Sequence, residues 1–425
     1  MAKGRTWRQR KRKVKADPSL FDSKYVHLLK WMRATDNFKP PSLSPRVFPN
    51  TGRGLMTVKP LQPGDVLISV PAGLIITTTV VLDSDVSSLI KRCNPPITAQ
   101  AALSVFLLAE RAKSSDSVWS SYISMLPLEF DTITNWETEA VDALPPYTSR
   151  LAQKSLKTFY DAYAAISQCC CALDYPYLTS VLTCKKNFRW AWNVVNTRCV
   201  YFEVPTSPYI EESGKNCALI PYLDLLNHSP DAKVITEFNK VTNCFEILTL
   251  DSYRKYDQVF IKYGPHNNSE LLVEYGFIIP DNPHNFYEFS FDTIRDFSTC
   301  LDIACFRQKE EILEKYNLKK QLHYLGDAGI SWNLQSVLHI LNMSWQELNC
   351  WESCLSKKEW PPEVLEFTIN LVKFIMDKHS SELQLLEPRT QKLKYGEQVR
   401  RLWQEEVNIL NEMMKELNSE KALNL

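Results

Sequence analysis

The feature that most restricts the fold of this chain is a change of pattern that occurs three times along it. β-branched residues and turn signals predict strands from about residue 45 to 83, and the pattern turns helical from about 98 to 198. Strand alternation returns from about 199 to 263, and helical periodicity continues beyond residue 290. A β-rich core is therefore interrupted by helices and followed by an all-helical region.

Length and charge restrict the possible classes of protein further. With 425 residues and 44% apolar content, the chain can bury a substantial core. Lys+Arg and Asp+Glu are both 49, so no overall field draws the molecule to nucleic acid or membrane. Residues 3–15 hold eight positive charges before the first acid, Asp17. This run predicts an extended basic tail, which acts either as a nuclear-import signal or as a solvated terminus without a receptor.

Two further segments bear on location. The longest apolar stretch, residues 66–82, contains Pro71 and Gly73 and predicts two short buried strands rather than a membrane span. The chain has twelve cysteines and shows no secretory signal or CxxC pair. We therefore expect reduced thiols and no zinc site, with the protein in nucleus and cytoplasm.

Common nucleotide and hydrolase motifs are missing from the sequence. It contains no P-loop, no GxGxxG and no GxSxG elbow. What remains is a set of four short stretches spread over more than two hundred residues: NTGRGLM at 50–56, NFRWAWNVVNTR at 187–198, PYLDLLNHSP at 221–230 and FIKYGPHNNSELLVEYGF at 260–277.

Each stretch alone has an ordinary structural explanation beside a functional one. The two glycines at 52 and 54 can bring backbone N–H groups to a ligand, or can merely turn the chain. Arg198 at the end of a predicted helix suits the helix dipole. The pair Asp224 and His228 is either an acid/base or metal site or a satisfied polar pair in the core.

The last stretch is the most informative. A strand carries Tyr263 and ends at Gly264, after which Asn268 can cap a short helix that ends at Tyr275 and Gly276. The two tyrosines could meet in one cavity, or both could be core tyrosines with satisfied hydroxyls.

Taken together and in this order, the four stretches resemble the SET-domain protein methyltransferases, in particular the class of the plant Rubisco large-subunit lysine methyltransferase. The resemblance covers about Gly52 to Phe277, and WSSYISMLP at 119–127 is similar to a signature of that class. It implies an α+β fold, in which a β-rich SET core with a knotted β-clip carries an inserted helical subdomain and precedes an all-α C-terminal domain. The implied limits are a tail at 1–20, a SET domain at 21–290 with its insertion at about 85–190, and a substrate-binding-like domain at 291–425.

The resemblance also implies the cofactor, S-adenosyl-L-methionine, and its site. In that class the Asn side chain of the Asn-His motif holds the amino acid end of the cofactor, and the His backbone meets the adenine. The residues that the resemblance places at the cofactor are Gly52, Arg53, Gly54, Arg198, Asp224, Asn227, His228 and Tyr263. No metal is implied.

For catalysis, the resemblance makes Tyr263 the catalytic tyrosine and Tyr275 the channel wall that orients the substrate. An actin-histidine methyltransferase similar to this class lacks an aromatic residue at the second position, which favours lysine as the acceptor here. We therefore predict a protein-lysine N-methyltransferase that acts on a histone tail or another nuclear or cytoplasmic protein, as a monomer without membrane or specific nucleic-acid binding. The rival hypothesis is a catalytically idle SET module that serves as a protein-interaction scaffold.

Overall fold

The computed structural model describes residues 23–170, 176–301, 303–355 and 360–423. The strands are β1 (Leu43–Phe48), β2 (Gly52–Thr57), β3 (Val66–Pro71), β4 (Ile76–Thr77), β5 (Cys199–Tyr201), β6 (Cys217–Leu219), β7 (Asn227–His228), β8 (Val234–Asn239), β9 (Cys244–Thr249), β10 (Gln258–Ile261), β11 (Tyr287–Glu288) and β12 (His323–Tyr324).

The helices of the first two thirds are α1 (Ser23–Arg33), α2 (Thr78–Leu82), α3 (Ser87–Arg92), α4 (Ala99–Ala112), α5 (Ser120–Ile123), α6 (Thr138–Asp142), α7 (Pro146–Cys170), α8 (Pro176–Leu182), α9 (Lys185–Arg198) and α10 (Asn268–Tyr275). The remaining helices are α11 (Phe291–Cys300), α12 (Phe306–Lys315), α13 (Trp332–Asn342), α14 (Trp345–Leu348), α15 (Trp351–Leu355), α16 (Pro362–Thr390) and α17 (Gly396–Leu423).

A four-stranded sheet in the order β1-β2-β10-β7 brings three distant parts of the chain together. β1 and β2 form an antiparallel hairpin, and β10 pairs antiparallel with β2. On its other side β10 pairs parallel with β7, so that Phe260 lies opposite Asn227 and Ile261 opposite His228. The turn before β2 therefore lies close to the Asn-His pair.

Two three-stranded sheets complete the β-rich core, in the orders β3-β9-β8 and β4-β6-β5. The two short strands predicted within residues 66–82 are present as β3 and β4, but residues 78–82 form the helix α2 instead of continuing the second strand. After the short β4, Thr77 caps helix α2 by accepting a hydrogen bond from Val80 N. A side-chain cap at the right position outweighs the strand preference of the β-branched residues that follow.

The inserted helices pack as the sequence predicts. Thr98 caps α4 by accepting a hydrogen bond from Ala101 N. α4 is buried along most of its length and packs against α9, which contributes Phe188, Trp192 and Val195 to the same core. The predicted α+β fold with a helical insertion is thus confirmed.

The helical C-terminal region has its own core, formed largely by α11, α13, α16 and α17. A third apolar cluster joins α16 and α17 to residues 133–144 and to α10. The short strands β11 and β12 also lie here, a small departure from the expected all-helical pattern. The domain limit at residue 290 stays a prediction.

Two remaining expectations concern location. The basic tail, residues 1–20, lies outside the described residues. Within the described parts of the chain, none of the helices combines the length and the apolarity needed to cross a lipid bilayer.

Candidate active site

The candidate site is built around the side chain of Asn227. Its Nδ2 donates hydrogen bonds to the carbonyl oxygens of Arg53, at 2.9 Å, and Thr51, at 3.2 Å. These bonds tie β7 to the turn that starts β2, across the full width of the intervening β10. The glycine turn and the Asn-His pair therefore lie close together, as predicted.

The glycine at 54 is required by this tie. A Cβ atom at Gly54 would lie 2.7 Å from Asn227 Nδ2 and 2.7 Å from Gln258 Nε2, closer than real Cβ contacts. Gly52 has a φ of +63°, a left-handed conformation that glycine adopts without strain. The two glycines thus serve the turn geometry and the approach of Asn227.

His228 is buried and uses its ring to fix Tyr263. Its Nδ1 accepts a hydrogen bond from Tyr263 N at 3.1 Å, and its backbone pairs with Ile261. Burial, with the positive charges of His266 and Lys262 nearby, lowers the pKa of His228 to about 4. The ring is therefore neutral near pH 7, as an acceptor nitrogen must be.

Tyr263 follows β10 and points its hydroxyl at the backbone of the Asn-His segment. The hydroxyl donates to the Leu226 carbonyl at 2.8 Å. Burial raises the pKa of Tyr263 far above its usual value, so the phenol stays neutral and its oxygen can still accept a hydrogen bond.

Tyr275 meets Tyr263 ring against ring. Their ring centroids are 5.0 Å apart with an interplanar angle of 37°. Burial raises the pKa of Tyr275 to about 12. The two tyrosines that the sequence proposed as partners thus form one aromatic pair.

The helix that delivers Tyr275 ends as predicted and begins one residue earlier than predicted. Gly276 is in the left-handed conformation, with a φ of +83°. The N-cap is Asn267 instead of Asn268, because Asn267 forms a capping box with Glu270. Asn268 donates to Ile279 O and Glu405.

Arg198 is held in place by Asp224. Its Nη1 donates to the Asp224 carbonyl at 2.7 Å and to the Asp224 carboxylate at 3.1 Å. The carboxylate also accepts from the hydroxyl of Tyr122 at 3.1 Å. Asp224 and His228 therefore do not act as a pair, because each has different partners. Among the described residues, no group of His, Cys, Asp or Glu side chains is arranged to hold a metal ion.

The fit of a cofactor can be judged from two groups at this point. Arg198 Nε is buried without a partner among the described residues. A buried guanidinium N–H without an acceptor favours a ligand with an anionic oxygen, such as a carboxylate. Arg53, between the two glycines, and Asn227 line the same small cavity as Arg198. The residues present therefore fit the amino acid end of S-adenosylmethionine.

Arg53 is the predicted residue whose side chain has turned away from the glycine turn. Its Nη1 donates to Met125 O at 3.0 Å, which ties the turn to residues that follow α5.

Two cavities meet at the tyrosine pair. The large cavity has a volume of about 870 Å³ and lies between the edge strands β5 and β8. The small cavity has a volume of about 220 Å³ and includes Arg53, Asn227 and Phe277 in its wall. The residues that line both cavities are Thr197, Arg198, Asp224, Tyr263 and Tyr275.

Most of the predicted site residues line one or both cavities, whereas Gly52, Gly54 and His228 line neither, and the individual roles stay predictions. Sequence reasoning missed Tyr122, which donates to Asp224, and five residues that line the small cavity: Pro127, Glu129, Phe130, Asp131 and Phe277. The strings WSSYISMLP and EYGF contain Tyr122 and Phe277, but nothing in their spacing indicates which cavity they reach.

Comparison with known proteins agrees with this geometry. The SET domain family pattern matches residues 52–264. The chain is 35% identical over 360 residues to SET domain-containing protein 4 of Mus musculus, covering 83% of this chain and 81% of that protein. It is 27% identical to an actin-histidine N-methyltransferase of Drosophila melanogaster, covering 73% of this chain and 59% of that protein.

The solved structures give the same fold. The SET domain of LSMT bound to lysine and AdoHcy superposes with a TM-score of 0.61 at 19% identity, covering 95% of this chain and 93% of that one. This likeness shows a shared overall fold. The chain belongs to the SET-domain family, which confirms the family predicted from the sequence.

Proposed function

We propose that the protein is a protein-lysine N-methyltransferase that uses S-adenosylmethionine and acts on histone or non-histone proteins. Its coarser class, an S-adenosylmethionine-dependent protein methyltransferase, is that of the family to which the chain belongs. The observation that carries the proposal is the meeting of the large and small cavities at Tyr263 and Tyr275.

The two cavities suit different ligands. The small cavity is lined by groups that fit the cofactor: Arg53, Asn227 and Arg198, whose Nε has no partner among the described residues. The large cavity opens between two sheet edges and suits an extended protein segment that inserts one long side chain. When bound, S-adenosylmethionine supplies a methyl group on a positively charged sulfur.

The residues at the junction favour transfer to an uncharged amine. A free lysine has a pKa of about 10.4, so the chain must stabilise its neutral form. Half-buried aromatic walls exclude water and disfavour the ammonium, as does a cationic sulfur beside it. No strong base is needed for this deprotonation.

Tyr263 then orients the nitrogen. Because its hydroxyl proton is committed to the Leu226 carbonyl, the phenol oxygen accepts a hydrogen bond from the amine N–H. An N–H held there directs the nitrogen lone pair towards the small cavity. The ring of Tyr275 packs beside that of Tyr263 and extends the same aromatic wall, where its π face favours the positive product.

The choice of lysine rests on Tyr275. The names of the relatives include both acceptors, since LSMT is described as bound to lysine and another relative as an actin-histidine N-methyltransferase. An aromatic wall beside Tyr263 leaves a narrow channel that suits a linear alkylamine better than an imidazole ring.

A nuclear and cytoplasmic location, with a histone among the substrates, is part of the proposal. Its support is the basic run at residues 3–15, which matches the composition of nuclear-import signals.

A methyl-transfer screen tests the proposal. The purified protein is incubated with isotope-labelled S-adenosylmethionine and with core histones or cell extract, and the modified residue is identified by mass spectrometry. We expect label on a lysine side chain, and labelling about 100-fold slower with Tyr263→Phe. Label on histidine would refute the acceptor, and cofactor binding without any transfer would favour a scaffold.

A further inference from the structure

One wall of the small cavity is built by residues 125–136, which we call the wall segment. It follows α5 and contributes Pro127, Glu129, Phe130 and Asp131 to the cavity lining. A loop that must become ordered when a ligand binds lowers the affinity of the site for that ligand. What holds the wall segment in place therefore bears directly on the cofactor.

The SET core holds the first part of this segment. Arg53 Nη1 donates to Met125 O at 3.0 Å, and Trp190 Nε1 donates to Pro127 O at 2.8 Å. Both contacts lie before Glu129, and a third lies after Asp131, where the Thr134 hydroxyl donates to Asn193 Oδ1 on α9 at 2.8 Å.

The middle of the segment is held from the C-terminal region. The turn between α16 and α17, residues 391–396, presents Tyr395, whose hydroxyl donates to Asp131 Oδ1 at 3.2 Å. Its ring stacks on Trp136, with centroids 4.6 Å apart and planes 3° from parallel. Lys394 Nζ donates to the same hydroxyl at 2.7 Å, and Lys394 N donates to Glu137 Oε1 at 2.8 Å.

This turn is a rigid anchor. A Cβ atom at Gly396 would overlap the Thr390 carbonyl, and the Thr390 hydroxyl accepts from Arg400 Nη1 at 3.1 Å. Tyr395 itself is 2% exposed. Burial raises its pKa, which keeps the hydroxyl protonated as the donor to Asp131.

Asp131 is also where the wall segment touches the helix that carries Tyr275. A Cβ atom at Gly276 would lie 2.7 Å from the Asp131 carbonyl carbon, so the end of α10 abuts this backbone directly. A displacement of Asp131 would therefore change the small cavity in two ways. It would move Asp131 itself, which lines the cavity, and it would move residues 275–276, which also line it.

We propose that Tyr395 is a positioning residue through which the C-terminal helices preorganise the cofactor side of the site. This rests on the proposed function, since it assigns the small cavity to S-adenosylmethionine. The C-terminal region accordingly contributes to cofactor affinity as well as to any substrate contact of its own.

Cofactor binding by the full chain tests the proposal. Isothermal titration with S-adenosylhomocysteine is compared for wild type, Tyr395→Phe and Tyr395→Ala. Tyr395→Phe keeps the stacked ring and loses one hydrogen bond, so we expect Kd to rise about fivefold. Tyr395→Ala also loses the stacking, and we expect a rise of about tenfold or more. In methylation assays KM for the cofactor follows Kd, while kcat and KM for the protein substrate stay within about twofold of wild type.

A second readout does not depend on the cofactor. Hydrogen exchange of residues 127–136 should be faster in both variants without ligand, because the wall segment loses its anchor. The matched control is Trp403→Phe, which removes the 2.9 Å hydrogen bond from the Trp403 indole to Ala143 O within the same third apolar cluster but away from the small cavity. It should leave Kd and this exchange at the wild-type level.

The outcomes separate the two proposals. If wild type binds S-adenosylhomocysteine and Tyr395→Phe binds it equally, with unchanged exchange, the positioning role is wrong and the proposed function stands. If Trp403→Phe weakens binding as much as Tyr395→Phe, the effect is general destabilisation and the positioning role is again wrong. If wild type itself does not bind, the proposed function fails and this inference fails with it.

Discussion

The large and small cavities are built in different ways although they share the same tyrosine pair. The small cavity lies where the start of β2, the end of α10 and the wall segment converge, and at Gly276 the backbone of Asp131 approaches so closely that a Cβ would have no room. The large cavity takes its shape from side chains on the edge strands β5 and β8.

This difference shows which cavity can vary. A surface made of backbone presents the same groups whatever the neighbouring side chains are, which suits a constant ligand. A surface made of side chains on edge strands changes with each substitution, which suits a family with different protein substrates. The comparison predicts that variants on one side leave binding on the other side unchanged.

Acidification should destabilise the folded protein through His228, which lies in the strand crossing behind the small cavity. His228 has a pKa lowered to about 4 in the folded protein, against an unfolded value near 6.5, so its stabilisation is present above pH 6.5 and is lost as pH falls towards 4. The loss is on the order of 3 kcal/mol. Urea unfolding between pH 7 and 4 measures it, and His228→Gln should lose less stability over this range. If both proteins lose the same free energy of unfolding, protonation of His228 is not the cause of the loss.

Removing the hydroxyl shared by both cavities should affect turnover alone. We expect Tyr263→Phe to lower kcat about 100-fold, or roughly 2.7 kcal/mol, because the amine loses its orienting acceptor. Cofactor Kd and substrate KM should stay within about twofold, as the ring is retained. Single-turnover kinetics with titration of each ligand measures the three quantities.

The control for this variant is Tyr222→Phe. Tyr222 is fully buried and its hydroxyl donates to Leu43 O at 2.9 Å, away from both cavities. A similar fall in kcat for Tyr222→Phe would assign the effect to lost stability and would contradict the role of Tyr263.

Removal of the Asn227 hydrogen bonds across the four-stranded sheet should lower the affinity for the cofactor and leave substrate binding unchanged. Asn227→Ala removes the bonds to Thr51 O and Arg53 O, so we expect cofactor Kd to rise about tenfold with little change in substrate KM. The control is Gln258→Ala, which loses the 2.8 Å bond from Gln258 Nε2 to the Thr51 hydroxyl at the exposed side of the same turn. If both variants weaken substrate and cofactor equally, the two cavities are not independent.

Local signals in the sequence were reliable where one short segment sets its own structure. Thr98 caps α4, Gly276 ends α10 and Arg198 closes α9, because capping depends on residues within one helical turn. The N-cap error at Asn268 was avoidable, since Glu270 lies three residues after Asn267 in the spacing of a capping box.

Contacts between distant segments were beyond the reach of the sequence. Tyr122 and Asp224 are 102 positions apart, and Tyr395 and Asp131 are 264 apart. Each contact depends on how whole helices pack. The residue spacing within either segment does not predict its contact with the other segment.

The sequence by itself determined the order of the β-rich and helical regions, the caps of some helices and, through four short strings, the family. The tertiary structure alone decided that Asp224 holds Arg198, that the Arg53 side chain faces residues after α5, and that the C-terminal turn contacts the wall segment. The reason is physical: turn and cap energies depend on neighbours along the chain, whereas a site is a set of distances fixed only when separate elements bury their apolar faces together.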